Sequence, residues 1–247
     1  MTSKQFLFGL HTVEALLKKQ SERIIKLCLQ AERKDKKIEA LVLLAKQQHI
    51  PVEWISKQAL DRMTQEANHQ GVVAFCSNAV SYSEADLKLL LQNLSGTPFL
   101  LILDGVQDPH NLGACFRVAD AAGVHAIIAP KDKSASVTAV VSKVASGAAE
   151  TVPFVQVTNL ARTLEELKAL GIWIYGAAGE ADQALYQTDL SGPIAIVMGA
   201  EGTGLRRLVR EHCDGLIKIP MQGTVSSLNV SVATGIFLFE VVRQRLS

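Results

Sequence analysis

Six short runs recur through the second half of this chain: "FLLILDG", "HAIIAP", "TVPFVQV", "IWIYGAA", "IAIVMGA" and "GLIKIPM". Each is apolar on successive residues rather than on alternate ones, so both faces of each strand need cover. That requirement predicts a parallel sheet with helices on both sides, because an antiparallel sheet with one wet face would alternate apolar and polar positions. In open sheets of this kind ligands bind beyond the carboxyl ends of the strands. The residues just after each run are therefore the informative ones.

The chain before Phe99 reads differently. Strand-like "RIIKLCLQ" and "GVVAFCS" flank helix-like "KDKKIEALVLLAKQQ", in which Ile38, Leu41, Val42 and Ala45 recur at helical spacing. This predicts a small α/β domain over residues 1–78. A linker over 79–98 follows, holding a short helix that Ser83 caps with Asp86 three residues on. It closes at the turn formers Ser95-Gly96-Thr97-Pro98, and the main domain occupies 99–247. Residues 1–80 hold 12 Lys or Arg against 8 Asp or Glu, and residues 81–247 hold 13 against 16. The basic excess lies at the amino-terminal end, where it suits either a phosphate backbone or an ordinary solvated face.

Several classes fall away. No apolar run reaches the ~18 residues of a membrane span, and Met1 to Leu10 lacks a secretory pattern, so a cytoplasmic address is expected. The four cysteines are scattered and the six histidines form no ligand pair, so no metal is expected. G-x-x-G-x-G near Gly199 has the wrong spacing and place for a dinucleotide fingerprint, and no phosphate-binding G-x-x-x-x-G-K-[ST] loop occurs. Ser227 lacks the G-x-S-x-G elbow of a serine hydrolase.

Three strand ends combine glycine with polar residues ahead of a helix: "LDGVQDPHNLGACFRVADAAGV", with a helix expected from about Asn111, "MGAEGTGL", and "PMQGTVSSLNVS". In the last, Ser226, Ser227 and Asn229 offer more capping groups than one helix end requires, which fits either an over-supplied cap or a ligand site. Asp104 and Asp108 flank a turn and suit ordinary structural uses.

The segments Asn111 to Arg117, Met198 to Gly202 and Ile219 to Ala233 resemble, in order, the three motifs of the SpoU family of RNA ribose 2′-O-methyltransferases, within the SPOUT superfamily. "HQGVVA" at His69 to Ala74 resembles the end of the family's substrate-binding domain, so the resemblance spans most of the chain. It implies an α/β fold: a carboxyl-terminal parallel-sheet SPOUT domain with a deep trefoil knot, and an L30e-like amino-terminal RNA-binding domain. It implies S-adenosylmethionine as methyl donor, held by Ala177, Gly199, Ile219, Met221, Ser227 and Leu228. Around the reacting ribose it places Asn111, Arg117, Glu201, Ser227 and Asn229.

Among the family's members the chain most resembles those that methylate a guanosine of 23S ribosomal RNA, in the peptidyl-transferase P loop. Transfer RNA, another ribosomal nucleotide, or a non-catalytic assembly role are the alternatives. The resemblance also implies a homodimer whose site is completed by the second subunit. Arg117 is often given the role of general base, yet a guanidinium with a pKa above ~12 stays charged. It is expected instead to grip phosphate and stabilise developing alkoxide charge. Glu201 offers two readings, a proton acceptor or a carboxylate that accepts backbone N–H groups and holds its loop, and the second is preferred. Asn111 is expected to cap the helix that carries Arg117. Val230, Val232, Ile236, Phe237, Phe239 and Val241 should bury the last helix, and Arg33, Lys34, Lys36 and Lys37 are candidates for phosphate contacts.

Overall fold

The computed structural model describes residues 5–33, 35–77 and 82–246. The expected linker start at 79–81 and Lys34 lie outside them. The chain divides into two compact units, residues 1–80 with 137–151, and residues 81–136 with 152–247.

In the first unit β1 (Gln5–Phe8), α1 (Leu10–Lys19), β2 (Ile24–Gln30), α2 (Lys36–Gln47), β3 (Val52–Ile55), α3 (Lys57–Thr64) and β4 (Val72–Cys76) follow one another. The sheet order is β1-β4-β2-β3, with β2 and β3 parallel and the other pairs antiparallel. The stripe read from helix α2 holds: Ile38, Leu41 and Ala45 are buried against Leu27, Leu29 and Val72, and Val42 packs at their edge. Asp35 caps that helix, accepting from the Lys37 and Ile38 N–H groups.

The second unit begins with α4 (Glu84–Gln92), where Ser83 and Asp86 form the expected capping box. Next come β5 (Phe99–Asp104), α5 (Pro109–Ala122) and β6 (Ala126–Pro130). Here the chain departs from the contiguous division read from sequence. Residues 137–151, carrying α6 (Ala139–Val144), pack with the first unit. The physical reason is a buried ion pair. Arg23 and Glu150 meet at 2.6 Å with 5% and 3% of their side chains exposed, and Ser142 donates to the other Glu150 oxygen at 3.1 Å. Gln20 donates to the Glu150 carbonyl at 2.7 Å. Gly147, at φ +96°, passes so close to α1 that a Cβ would lie 2.7 Å from the Ala15 methyl. Breaking a buried pair of this kind from one side costs about 3–5 kcal/mol, so the segment is firmly placed.

The chain then completes the second unit with β7 (Phe154–Val157), α7 (Leu160–Ala169), β8 (Trp173–Ala177), β9 (Gln183–Ala184), β10 (Ile194–Gly199), α8 (Arg207–His212), β11 (Gly215–Lys218) and α9 (Val230–Arg245). The seven strands run β7-β6-β5-β10-β8-β11-β9, parallel at every pairing. All six apolar runs are strands of this sheet, and β5, β6 and most of β10 are buried throughout. The seventh strand, two residues long, carried no apolar run to announce it.

Helix α9 packs along α5. Thr234 meets Cys115 at 3.7 Å across the interface, and its hydroxyl donates back to the Val230 carbonyl at 2.7 Å. At its far end Arg245 lies 4.9 Å over the Phe99 ring and donates to the Pro98 and Gly192 carbonyls at 2.9 and 2.7 Å. The burial expected of α9 is only partly realised. Val230, Phe237 and Val241 are buried, whereas Val232 and Phe239 remain 52% and 48% exposed, because the sheet and α5 cover one side only.

The four thiols are free, as expected. Burial pushes the Cys76 and Cys213 thiols up to about 12 and Cys115 to about 11, and raises Cys28 as well. A raised thiol pKa keeps the unreactive protonated form, and favours the folded state less as pH climbs past the ordinary thiol range. We expect negligible reaction with a disulfide reagent at pH 8 in the folded protein, and four thiols released on unfolding. Rapid native-state labelling of Cys115 would contradict this burial.

Candidate active site

At the carboxyl edge of the second sheet four loops meet, those following β5, β8, β10 and β11. The loop after β10 is the tightest. Ala200 and Gly204 exchange backbone hydrogen bonds at 3.2 and 2.9 Å, closing a hairpin with Glu201, Gly202 and Thr203 at its tip. It folds back on Gly199 so closely that a Cβ there would sit 2.3 Å from the Gly204 carbonyl carbon and 2.5 Å from the Leu205 nitrogen. Only glycine fits. Beneath the hairpin Asp104, whose side chain is fully buried, accepts from the Arg206 backbone N–H at 2.8 Å and from its Nε at 2.6 Å.

The hairpin tip reaches two helix ends. Asn229 is the N-cap of α9, its Oδ1 accepting from the Ser231 N–H at 2.9 Å and the Ser231 hydroxyl at 2.6 Å. Its amide nitrogen donates to Glu201 Oε1 at 2.7 Å and to Asn111 Oδ1 at 2.9 Å. The Asn111 amide also donates to Glu201 Oε1, at 3.1 Å. Two amides thus fix one carboxylate oxygen, while Oε2 makes no hydrogen bond among the described residues. This corrects two expectations. Glu201 is held by side-chain amides rather than backbone N–H groups, and Asn111 does not cap α5. Asp108 does, accepting from the His110 N–H at 3.0 Å with Pro109 in the first turn, so Asn111 is free to join the cluster. Asp108 has the structural use expected of it, whereas Asp104 anchors the β10 loop.

Arg117 and Ser227 are not part of that cluster. Asn111, Cys115 and Val118 form the stripe of α5 that faces Asn229, Thr234 and Gly235 of α9. Arg117 lies about 200° around the helix from Cys115, is exposed, and makes no ion pair among the described residues. Ser226 and Ser227 are exposed and make no side-chain hydrogen bond among the described residues, so Asn229 alone is the cap.

Beside the cluster opens a cavity of about 750 Å³, lined by Ala177, Gly199, Ile219, Met221, Ser227 and Leu228 together with Glu201 and Asn229. All six residues expected to hold a donor line this one space. Its size and mixed lining suit a nucleoside-sized ligand, with apolar Ile219, Met221 and Leu228 available for a purine face and the loop backbone between Ile219 and Leu228 for its edge. Sequence reasoning missed Glu180 and Arg210, which line the same cavity and pair with one another, and Lys218. Their only sequence signal was position, just beyond β8, within α8 and at the end of β11. No cluster of His, Cys, Asp or Glu fit to hold a metal occurs among the described residues.

A parallel sheet whose glycine hairpin and asparagine cap converge on one cavity, with the start of α5 bonded to both, matches a known class. The model of the SpoU rRNA Methylase family covers residues 98–239, and that of RNA 2′-O ribose methyltransferase substrate binding covers residues 6–80. The chain belongs to the SpoU family. It is 59% identical, over the full length of both chains, to the 23S rRNA (guanosine-2′-O-)-methyltransferase RlmB of Shewanella oneidensis. Among solved structures, the AdoMet-bound rRNA methyltransferase from Sinorhizobium meliloti superposes with a TM-score of 0.77 at 25% identity, over 99% of this chain and 88% of that one. The SpoU methyltransferase AviRb from Streptomyces viridochromogenes superposes with a TM-score of 0.81 at 22% identity, over 98% and 91%.

The Gly199 contact generates a sharp expectation. Gly199→Ala forces the Gly204 carbonyl away and opens the hairpin, so donor affinity should fall at least about tenfold, as a clash with backbone relieves only by moving it. Calorimetric titration with S-adenosylmethionine measures it; unchanged affinity would mean the hairpin does not shape the cavity.

Proposed function

We propose that this protein is an S-adenosylmethionine-dependent RNA ribose 2′-O-methyltransferase that modifies a guanosine of 23S ribosomal RNA. The observation that carries the reading is the Asn111–Glu201–Asn229 cluster at the rim of a cavity that collects every expected donor residue. The identity to the Shewanella enzyme over the whole chain supports the ribosomal target, and a guanosine in the peptidyl-transferase P loop is the position we assign. No helix is long and apolar enough to cross a membrane among the described residues, and a ribosomal RNA substrate supports a cytoplasmic address.

When bound, S-adenosylmethionine supplies a methyl group on a cationic sulfur, which leaves as a neutral thioether as the ribose 2′-oxygen takes the methyl and releases its proton. Gly199, Ile219, Met221 and Leu228 orient the donor. Ser227, whose hydroxyl makes no hydrogen bond among the described residues, faces the reacting sugar, and Asn229 and Asn111 hold Glu201 with Oε2 toward the ribose hydroxyls. Arg117 remains a cation and binds the target phosphate while stabilising charge growing on the 2′-oxygen; phosphate or water takes the proton.

Arg117 stands on the solvent side of α5, turned from its own cluster, and exposed Val232 and Phe239 mark an uncovered apolar face on α9. Both features support a symmetric homodimer in which Arg117 of one subunit serves the cluster of the other. The strand order, in which β10 lies between β5 and β8 and the chain returns through 219–229 beside them, supports the trefoil knot of the family. The first unit, with its parallel and antiparallel pairs, serves as the L30e-like RNA-binding domain. There Arg33 is engaged by Asp35 at 2.5 Å, leaving Lys36 and Lys37 as the exposed cations at the start of α2.

Purified protein with labelled donor should methylate one ribose of unmodified 23S RNA and leave 16S RNA and transfer RNA unlabelled. Label in transfer RNA alone would overturn the ribosomal assignment. Arg117→Lys should lower turnover by roughly a hundredfold with an unchanged pH profile, since a lost fork rather than a lost base is responsible. Mixing inactive Arg117→Ala with inactive Asn229→Ala should restore partial activity through mixed dimers.

A further inference from the structure

Arg206 is held in an unusual way. Asp104 ends β5 directly beside Gly199 in the parallel register, and its side chain is wholly buried. One of its oxygens takes the Arg206 backbone N–H and the other takes Nε. The guanidinium is thereby fixed at its inner edge, while the Arg206 side chain is 47% exposed and both Nη groups make no hydrogen bond among the described residues. Arg206 does not line the donor cavity, so it has no place in donor binding. An arginine whose inner edge is committed to a buried carboxylate presents a two-pronged donor fork with its orientation already set, the geometry that matches a phosphate.

The surroundings suit an anion. The loop after β6 is tied to the loop after β5 by the Ala135 N–H to the Val106 carbonyl at 2.9 Å, which places exposed Lys131 and Lys133 on the loop that adjoins Gly105, the residue after Asp104. The acids on these loops are Asp108, whose carboxylate caps α5, Asp132, and Glu201, which the two amides engage. The loop that runs from Gly199 through the hairpin to Arg206 carries Glu201 at the hairpin tip, so the same short loop bears the site carboxylate and this cation.

We propose that Arg206, positioned by Asp104, binds an RNA phosphate flanking the methylated ribose. The proposal deepens the function assigned above and rests on it. Asp104 is a positioning residue and touches no substrate. The test compares wild type, Arg206→Gln, Asp104→Asn and the double variant D104N/R206Q for binding to an unmodified 23S RNA fragment over a salt series, with donor affinity and melting temperature measured beside it. The double variant is neutral at both sites, so no buried charge is orphaned.

Arg206→Gln and the double variant should each lose about tenfold in RNA affinity, with the slope of log affinity against log salt shallower by about 0.7, one single-strand phosphate contact. In Arg206→Gln the backbone N–H at 206 still reaches Asp104, so the hairpin keeps its anchor and donor affinity should stay unchanged. Asp104→Asn keeps the cation, so its slope should stay at the wild-type value while affinity falls about threefold through lost preorganisation. A double variant that folds, binds donor and keeps the wild-type salt slope overturns the phosphate role while leaving the methyltransferase activity standing. Loss of donor affinity in step with RNA affinity in Arg206→Gln would also overturn it, as a purely structural pair. A wild-type protein that methylates no RNA would remove the activity itself, and the anchor with it.

Discussion

Helix α9 is tied down at both ends, and the site depends on that restraint. At its start Asn229 caps the helix with one side-chain atom and grips Glu201 and Asn111 with another. At its finish Arg245 hooks carbonyls on the opposite edge of the sheet. A helix of 16 residues at about 1.5 Å per residue crosses the sheet from edge to edge, so a shift at either end displaces the amide that holds the carboxylate. The packing of Cys115 and Thr234 midway along fixes its rotation. Fold and site are here one mechanical object.

The hairpin of residues 200–204 extends the same logic. Its rigidity comes from the pair of backbone bonds, the absence of room beside Gly199 and the buried carboxylate of Asp104 below. Glu201 therefore meets its two amide partners without reorganisation, the condition under which a fixed polar group acts most strongly on developing charge.

Much of this was legible in the residues. The six apolar runs declare the parallel sheet because burial on both faces leaves no alternation, and the rule that ligands sit beyond strand ends points to the loops that carry Gly199 and Asn229, whereas the place of Glu201 beside the ribose comes from the resemblance to the SpoU motifs. What escaped has physical reasons. A two-residue strand, β9, has no periodicity to detect. Asp104 looked like a turn former because its partner is more than a hundred residues away in sequence. Asn111 was misread as a cap because Asp, Pro and Asn are all common at helix starts, and only the side-chain geometry chooses Asp108. The exposure of Val232 and Phe239 was hidden too, since an apolar residue in sequence carries no mark of which neighbour covers it.

The excursion of residues 137–151 has a practical meaning for anyone who would take the molecule apart. The polypeptide passes from the first unit to the second, back again and out once more, so no single scissile point separates two intact halves. A fragment beginning at residue 81 would carry Glu150 and Val141 into water without the Arg23 and α1 surface that shelters them, while the complementary piece would retain an arginine stripped of its counter-ion. Such halves belong together in one tube, as complementing fragments, rather than as independent modules.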